Sequence, residues 1–478
     1  MTTTTDVNVF HKMKLESPRR LTFTMSPVRV TYANTLRRAI QTEVPTLGFR
    51  ADITESGTTS DVKVIKNSTP MSNEMLADRV GLLPIAMQPG ASGWDKDSVL
   101  FKLHVVNDTD TVRIVTASDF EVLEKTGDTS ERTRVPNTKY FHPDPVTGDT
   151  CILAVLKPQV AGQKPEEIHI ETYASLGTGR EHTRFNPTCQ CSYGYTRDEN
   201  PQRIEKLFNT WLIEQKKVMP KDLDADAERK ARLQREFRSL EIYRCFKMDN
   251  EGEPYSFDFA IETIGTMGVM DIVETGLIAI SNLCNRYADI HEGDLPEHIE
   301  IRPTTMRMPG LDIFIRGEDH TLGNLLQTWL DDYRIDQGPQ KGRGLTFVGN
   351  CVPHPLRDEL KLTFGFSDLK FATHDNVRLL ISEAAKACGD MYRGWIPYFR
   401  QMLEEYGITE AKAKEDVSAE VQGPWEAHAK VKGDQAAIVE ALRKKKEEEK
   451  AATKVTVGKK KSAATSAAAK AATKKGQA

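Results

Sequence analysis

The chain has 478 residues, 39% hydrophobic and 28% charged, with a formal net charge of −4. Eight lysines and no acids lie between Lys450 and Ala478, so that segment carries +8 and the remainder −12. An acidic body with a basic tail argues against a body that grips nucleic acid by its overall charge. No stretch approaches the roughly 18 apolar residues of a membrane-spanning helix.

The opening "MTTTTDVNVF" lacks the charged and apolar regions of a signal peptide. With no export signal, the seven scattered cysteines read as reduced thiols of an intracellular protein. The run "RRLTFTMS" reads as a strand. In "VTYANTLRRAIQTEVPT", Ala33, Leu36, Ile40 and Val44 recur at spacings of three and four, one face of a helix ended by Pro45. Residues 51 to about 195 read mainly as β, with strands at "VLFKLHVVN", "TVRIVTASDFEVL", "CILAVL" and "EEIHIETYASL". A helix interrupts them at "SNEMLADRVGLLPI", with Ser72 as N-cap. Residues 198–245 read as long, charged, solvated helices. A strand at "YSFDFAIETIG" and an amphipathic helix at "MDIVETGLIAISNLCNRYA" follow. From 297 to about 405 comes a second unit: strand, a helix at "EDHTLGNLLQTWLDDY", strands at "LTFVGN" and "LKLTFGF", and a long helix from Thr373 to about Tyr406. The Ala/Lys/Thr composition predicts disorder from about Lys450.

An offset of 290 residues aligns "LTFTMSPVRVTYANTLRRAI" from Leu21 with "LDIFIRGEDHTLGNLLQTWL" from Leu311, without a gap. Ala33 falls on Gly323, Asn34 on Asn324, Leu36 on Leu326 and Ile40 on Leu330. Two copies of one strand-helix unit predict an intramolecular pseudo-dimer. Its expected interface is Ala33, Leu36, Ile40, Leu322, Gly323, Leu326, Trp329 and Leu330, with a small residue letting the two helix backbones approach. The alternative is a pattern shared by chance, against which the ungapped agreement through both strand and helix stands.

"ANTLRRAIQTEVPT", "MLADRVGLLPI" and "GTGREHTRFNPTCQCSYGY" resemble the third-largest subunit of eukaryotic RNA polymerase II, its archaeal D-type counterpart and the bacterial alpha subunit. "EDHTLGNLLQTWL", "FVGNCVPHPL" and "LTFGF" resemble the small eleventh subunit and its archaeal L-type counterpart. The resemblance covers roughly residues 15–405 and implies an α+β fold. Two alpha-subunit-like dimerisation modules (1–50 with 246–296, and 297–405) would form the pseudo-dimer. A β-rich domain with charged helices at 198–245 would be inserted at 51–245, and by composition 406–478 reads as a charged, Lys/Ala-rich and largely disordered tail. It further implies a non-catalytic platform on which the largest and second-largest polymerase subunits assemble, with small partners of the tenth- and twelfth-subunit type. Fusions in this order are associated with large DNA viruses, which implies a viral source. The helix bearing Arg37 and Arg38 resembles the one that contacts the second-largest subunit. With Leu36 facing the partner module, Arg37 lies about 100° and Arg38 about 200° round the helix, so Arg38 is expected to face away.

No constellation specifies an enzyme. Cys189 and Cys191, two apart, share a face if they lie on a regular strand, but no second pair follows. Relatives carry a zinc or iron–sulfur cluster in the inserted domain, yet no cysteine falls between Pro84 and Cys151, so no metal or cofactor is expected on this chain. "GTGREHTRF" lacks the Lys-Ser/Thr of a P-loop and reads as a turn. In "EDH", Asp319 or Thr321 can cap the helix. Asp258 and Glu262 lack the clustered aspartates of a two-metal site, and His354 reads as part of a turn. Lys459, Lys460 and Lys461 suit phosphate neutralisation, or a solubilising or nuclear-import tail. DNA would be met only through that tail or indirectly, and a membrane not at all. The expected location is intracellular; for a viral protein, virion and host cytoplasm or nucleus. The rival expectation is a stand-alone nucleic-acid-binding protein that keeps the polymerase-like fold.

Overall fold

The computed structural model describes residues 7–51, 61–87, 93–125, 131–144, 147–160, 162–223, 226–335 and 343–408. The Lys/Ala tail, including Lys459, Lys460 and Lys461, lies outside them.

The chain begins with strands β1 (Phe10–Ser17) and β2 (Arg20–Met25) and helix α1 (Val30–Thr42). A β-rich region follows: β3 (Pro45–Gly48), β4 (Val62–Asn67), α2 (Asn73–Gly81), β5 (Val99–Asn107), β6 (Arg113–Thr116), β7 (Phe120–Lys125), β8 (Arg132–Val135), β9 (Ile152–Leu156), β10 (Glu166–Tyr173) and β11 (Ser175–Thr178). Its strands form a five-stranded sheet in the order β4-β10-β5-β7-β8 and two small pairs, β3 with β11 and β6 with β9. Phe49, Phe101, Phe120 and Phe141 meet at its centre. Ser72 caps α2, its side chain accepting from the Met75 amide at 3.3 Å. "TVRIVTASDFEVL" is two strands in different sheets, not one. Thr116 and Asp119 bond back to the local backbone and turn the chain between them.

Strand β12 (Thr188–Tyr195) follows, then helices α3 (Pro201–Trp211) and α4 (Ala227–Ser239). These helices are shorter than expected and not merely solvated. Phe208, Trp211, Leu212, Leu223, Leu233 and Phe237 give them a small core of their own. Next come β13 (Phe257–Thr263) and α5 (Val269–Asn285), and then β14 (Ile299–Pro303), β15 (Gly310–Arg316), α6 (His320–Leu330), β16 (Leu345–Cys351), β17 (Glu359–Phe366) and α7 (His374–Glu405).

The sequence repeat reappears as topology. One four-stranded antiparallel sheet runs β1-β2-β13-β12 and the other β14-β15-β17-β16. Each has two helices, α1 and α5 in the first module, α6 and α7 in the second. Strand β12 pairs with β13 from Thr188 to Tyr195, so it belongs to the first module although it falls inside 51–245. The module is therefore interrupted twice, between α1 and β12 and between β12 and β13.

The modules share their cores. Met391, Tyr392, Trp395 and Phe399 of α7 pack into the first module's core, with Phe399 5.3 Å from Phe10 between ring centroids. In return Leu283 of α5, with Tyr287 and Ile290 beyond it, packs into the second module's core. Helix α7 can do this because it is long: its 32 residues span about 48 Å at 1.5 Å each, more than its own sheet needs. Thr373 caps its start, accepting from the Asn376 amide at 3.3 Å.

Candidate functional site

Two helix crossings join the modules. At the first, α5 meets α7. A Cβ placed on Gly389 would sit 3.0 Å from Asn285 Oδ1, 3.3 Å from Cys284 Cβ and 3.5 Å from the Ser281 carbonyl oxygen. This is where a missing side chain lets the two modules approach. Burial pushes the Cys284 thiol up to about 12, so it stays protonated and inert.

At the second crossing, α1 and α6 run antiparallel and are joined by a row of hydrogen bonds. Arg29 donates to Asp332 at 2.9 Å, Thr328 Oγ1 to Thr31 Oγ1 at 2.9 Å, and Arg38 to Thr321 Oγ1 at 2.9 Å and Asp319 Oδ2 at 3.0 Å. A polar cavity of about 120 Å³ lies between the helices, lined in part by Asn34, Arg38, His320 and Asn324.

The expected interface residues sort differently from the expectation. Leu36 and Ile40 face their own module: a Cβ on Gly276 of α5 would lie 2.8 Å from Ile40 Cγ1 and 3.7 Å from Leu36 Cδ1. Ala33 lies in the first core, and Leu322, Leu326 and Leu330 lie in the second. A Cβ on Gly323 would meet Leu360 Cδ1 at 2.7 Å and Asn350 Oδ1 at 3.0 Å, so its close approach is to β17 and β16, not to α1. Asn324 accepts from Asn350 Nδ2 at 2.8 Å. Trp329 packs against both cores. Leu325, not singled out from the sequence, is the α6 leucine that enters the first core. The adjacent pair Leu325–Leu326 carried that signal, since neighbours on a helix point about 100° apart.

Arg38 faces the partner module, contrary to expectation. The expectation took Leu36 as the residue pointing across. Leu36 points at α5, so the direction about 200° away is where α6 lies. Arg37 bonds only along its own helix, to Asn34 Oδ1 at 3.0 Å and Gln41 Oε1 at 2.9 Å. It makes no ion pair among the described residues.

The glycine-rich segment contributes a residue that sequence reasoning missed. After β11 the chain turns so closely over the end of α1 that a Cβ on Gly179 would fall 1.9 Å from the Gln41 carbonyl oxygen. That turn delivers Arg180, which donates to Glu43 at 3.0 Å and to the Gly317 carbonyl at 2.8 Å and lies 3.8 Å from Asp319. One arginine of the inserted domain thus ties the end of α1 to the start of α6. Asp319 caps α6, accepting from the Thr321 amide at 2.7 Å. Burial pushes its carboxyl up, but the Thr321 hydrogen bonds and the charges of Arg180 and Arg38 outweigh this and hold it below the usual range. Glu318, only 3% exposed, is pushed up by burial even though Tyr287 donates to it at 2.9 Å and Arg286 lies 3.4 Å away.

The other candidates are structural. The ladder slips between Thr188 and Gln190, so Cys189 is exposed while Cys191 is buried with its Sγ 3.6 Å from the Arg37 carbonyl oxygen. A bulge breaks the shared face expected of a regular strand. Asp258 accepts from Thr24 at 2.7 Å and Thr196 at 2.9 Å. His354 accepts from the Leu356 amide at 3.1 Å, inside a turn. Among the described residues no cluster of three or more His, Cys, Asp or Glu is placed to hold a metal. Among them, too, no helix is long and apolar enough to cross a membrane.

Residues 22–284 match the RNA polymerase Rpb3/Rpb11 dimerisation domain, a span that includes most of the first module's β2, all of α1, β12 and β13, and nearly all of α5. The DNA-directed RNA polymerases I and III subunit rpac1 of Dictyostelium discoideum is 28% identical over 191 residues, 37% of this chain and 50% of the relative. The DNA-directed RNA polymerase subunit Rpo3 of Methanopyrus kandleri is 31% identical over 176 residues, 36% of this chain and 54% of the relative. The human DNA-directed RNA polymerases I and III subunit RPAC1 is 25% identical over 297 residues, 56% of this chain and 80% of the relative. The chain spans 50% to 54% of the first two of these relatives. With more than half of its length matched, the chain belongs to the RNA polymerase Rpb3/Rpb11 dimerisation domain family.

Proposed function

We propose that this chain is a non-catalytic assembly subunit of a multisubunit DNA-directed RNA polymerase, built as an intramolecular pseudo-dimer on which the two largest subunits assemble. The observation that carries the reading is the reciprocal packing of α7 in the first core and α5 in the second, between two sheets of the same strand order. Fusion of a third-subunit-like and an eleventh-subunit-like module makes their pairing intramolecular, at an effective concentration in roughly the millimolar range. The chain is then monomeric through this face. Arg37, half-buried and without a carboxylate partner among the described residues, is the residue of α1 proposed to meet the second-largest subunit, since Arg38 is engaged with Asp319. Small subunits of the tenth- and twelfth-subunit type are proposed as further partners. Nucleotidyl transfer and its magnesium belong to other chains, and no cofactor is assigned here. A source in a large DNA virus accompanies this reading, resting on the order of the two modules, and an intracellular location is proposed with it.

The test is purification of the tagged protein from its native context in high salt, with mass spectrometry of what accompanies it. The two largest polymerase subunits at near-equal stoichiometry support the proposal. The chain alone, or with nucleic acid only, refutes it. Arg37→Glu should then lose the second-largest subunit while leaving the fold intact.

A further inference from the structure

Helices α3 and α4 are held together by their own aromatic core, so the outward face of α4 is not needed for folding. That face carries Arg229, Arg232, Arg235 and Arg238, one at every third position and all exposed. None of the four makes an ion pair among the described residues. Glu236 is engaged by Lys216, and Glu228 is the one other acid on the helix. Over Ala227–Ser239 there are five basic residues against two acidic, in a chain that is acidic outside its tail. An exposed charged helix ordinarily gains from Glu–Lys and Asp–Arg pairs three or four apart. Among the described residues this one leaves its arginines without an ion pair.

The spacing sets what they can reach. Three residues advance about 4.5 Å along a helix and about 300° around it, so the four arginines span about 13.5 Å and half the circumference. Arg232, Arg235 and Arg238 lie on the side away from Leu233 and Phe237, and Arg229 stands at the edge of the arc, about 40° from Leu233. A flat acidic protein surface would meet one narrow stripe of such a helix and at most two of the arginines. A groove that surrounds the helix meets them all. The major groove of a duplex, about 12 Å wide and walled by phosphates on both sides, admits an α-helix in that way. A single strand would call for open aromatic faces. The one aromatic residue of α4, Phe237, is buried in the core of the helical pair and offers no such face. We propose that α4 binds the phosphate backbone of duplex nucleic acid through Arg229, Arg232, Arg235 and Arg238, independently of the lysine tail and without reading base sequence.

The experiment measures binding of the full chain and of a chain lacking 450–478 to a random-sequence duplex of two helical turns, by fluorescence anisotropy across a salt series. In both backgrounds the four-fold Arg→Gln variant is compared with Arg232→Gln/Arg235→Gln. Arg and Gln have similar helix propensity, so the fold should hold, and hydrogen exchange at the α4 amides checks it. The proposal predicts that the tail-deleted chain still binds. It predicts that the four-fold variant loses affinity about tenfold or more at low salt, with the salt slope falling by about 0.9 per lost phosphate contact, and that the double variant loses about half of that slope. Unchanged affinity and slope in the variants overturn it. So does tighter binding to a single strand than to the duplex, or release of the duplex by an equal charge concentration of poly-glutamate. Subunit co-purification is read separately, so failure here leaves the assembly reading standing.

Discussion

The two modules use one plan to different ends. The second module runs β14, β15, α6, β16, β17 and α7 with short connections. The first runs the same series but opens twice, admitting a β-rich domain after α1 and a helical pair after β12. The shared plan builds the four-helix junction, where each module completes the other's core. Among the described residues both openings reach back to that junction: the Gly179–Arg180 turn clamps α1 and α6, and Glu251, from the second opening, lies 3.9 Å from Arg29 at the other end of their crossing. Conserving the plan while loading one copy lets a single chain keep its pairing fixed and still gain new surface.

The sharpest way to break this symmetry is Trp395→Ala. Trp395 belongs to the second module's helix but is fully buried in the first module's core. Loss of a buried Trp costs about 3–5 kcal/mol. Denaturant titration should show it, and hydrogen exchange should show β2 and β13 loosening before β15 and β17. Gly389→Leu attacks the crossing itself and should cost about 1–3 kcal/mol by overpacking against Cys284 and Ser281. Arg38→Ala removes two hydrogen bonds at the polar crossing. The pair is about a third exposed on each side, so solvent screening brings the expected loss to about 1 kcal/mol. The smallest effect is at Glu318. Its folded-state carboxyl titrates above its unfolded value, so the folded state holds the proton in a pH range where the unfolded state has lost it, and stability falls as pH rises through that range. Glu318→Gln should therefore match the parent below the ordinary carboxylate range and gain on it as pH rises, read as a melting-temperature difference measured from pH 4 to pH 8. A gap constant with pH would mean that Glu318 ionises as freely folded as unfolded.

Much of the architecture was legible because periodicity reports local structure well. The gapless repeat gave both strand-helix units, Ser72 marked a helix start by capping chemistry, and Asp319 was one of two residues that could cap α6. Strand β1 was not legible, because two register shifts blur its alternation. Strand β12 could be seen as β, but which sheet it joined is a long-range fact carried by Cys191 opposite Ile261. The interface was read through one of its two crossings: α1 with α6 was named, and α5 with α7 was not. Spacing shows that Leu36 is on an apolar face, not whether α5 or α6 covers it, and the close crossing belongs to Gly389 on a helix whose repeat partner lies outside the aligned segment. Arg180 was hidden because its partners, Glu43 and Gly317, are more than 130 positions away.

The central claim is that the modules hold each other through exchanged helices within one chain. A protease site inserted after Asp294, in the exposed connection between them, tests it directly. After cleavage, sedimentation of the native protein should show the two fragments as one 1:1 particle with the mass of the uncut monomer, separating only on denaturation. Fragments that part in native buffer, or an uncut chain that sediments as a homodimer, would contradict the account.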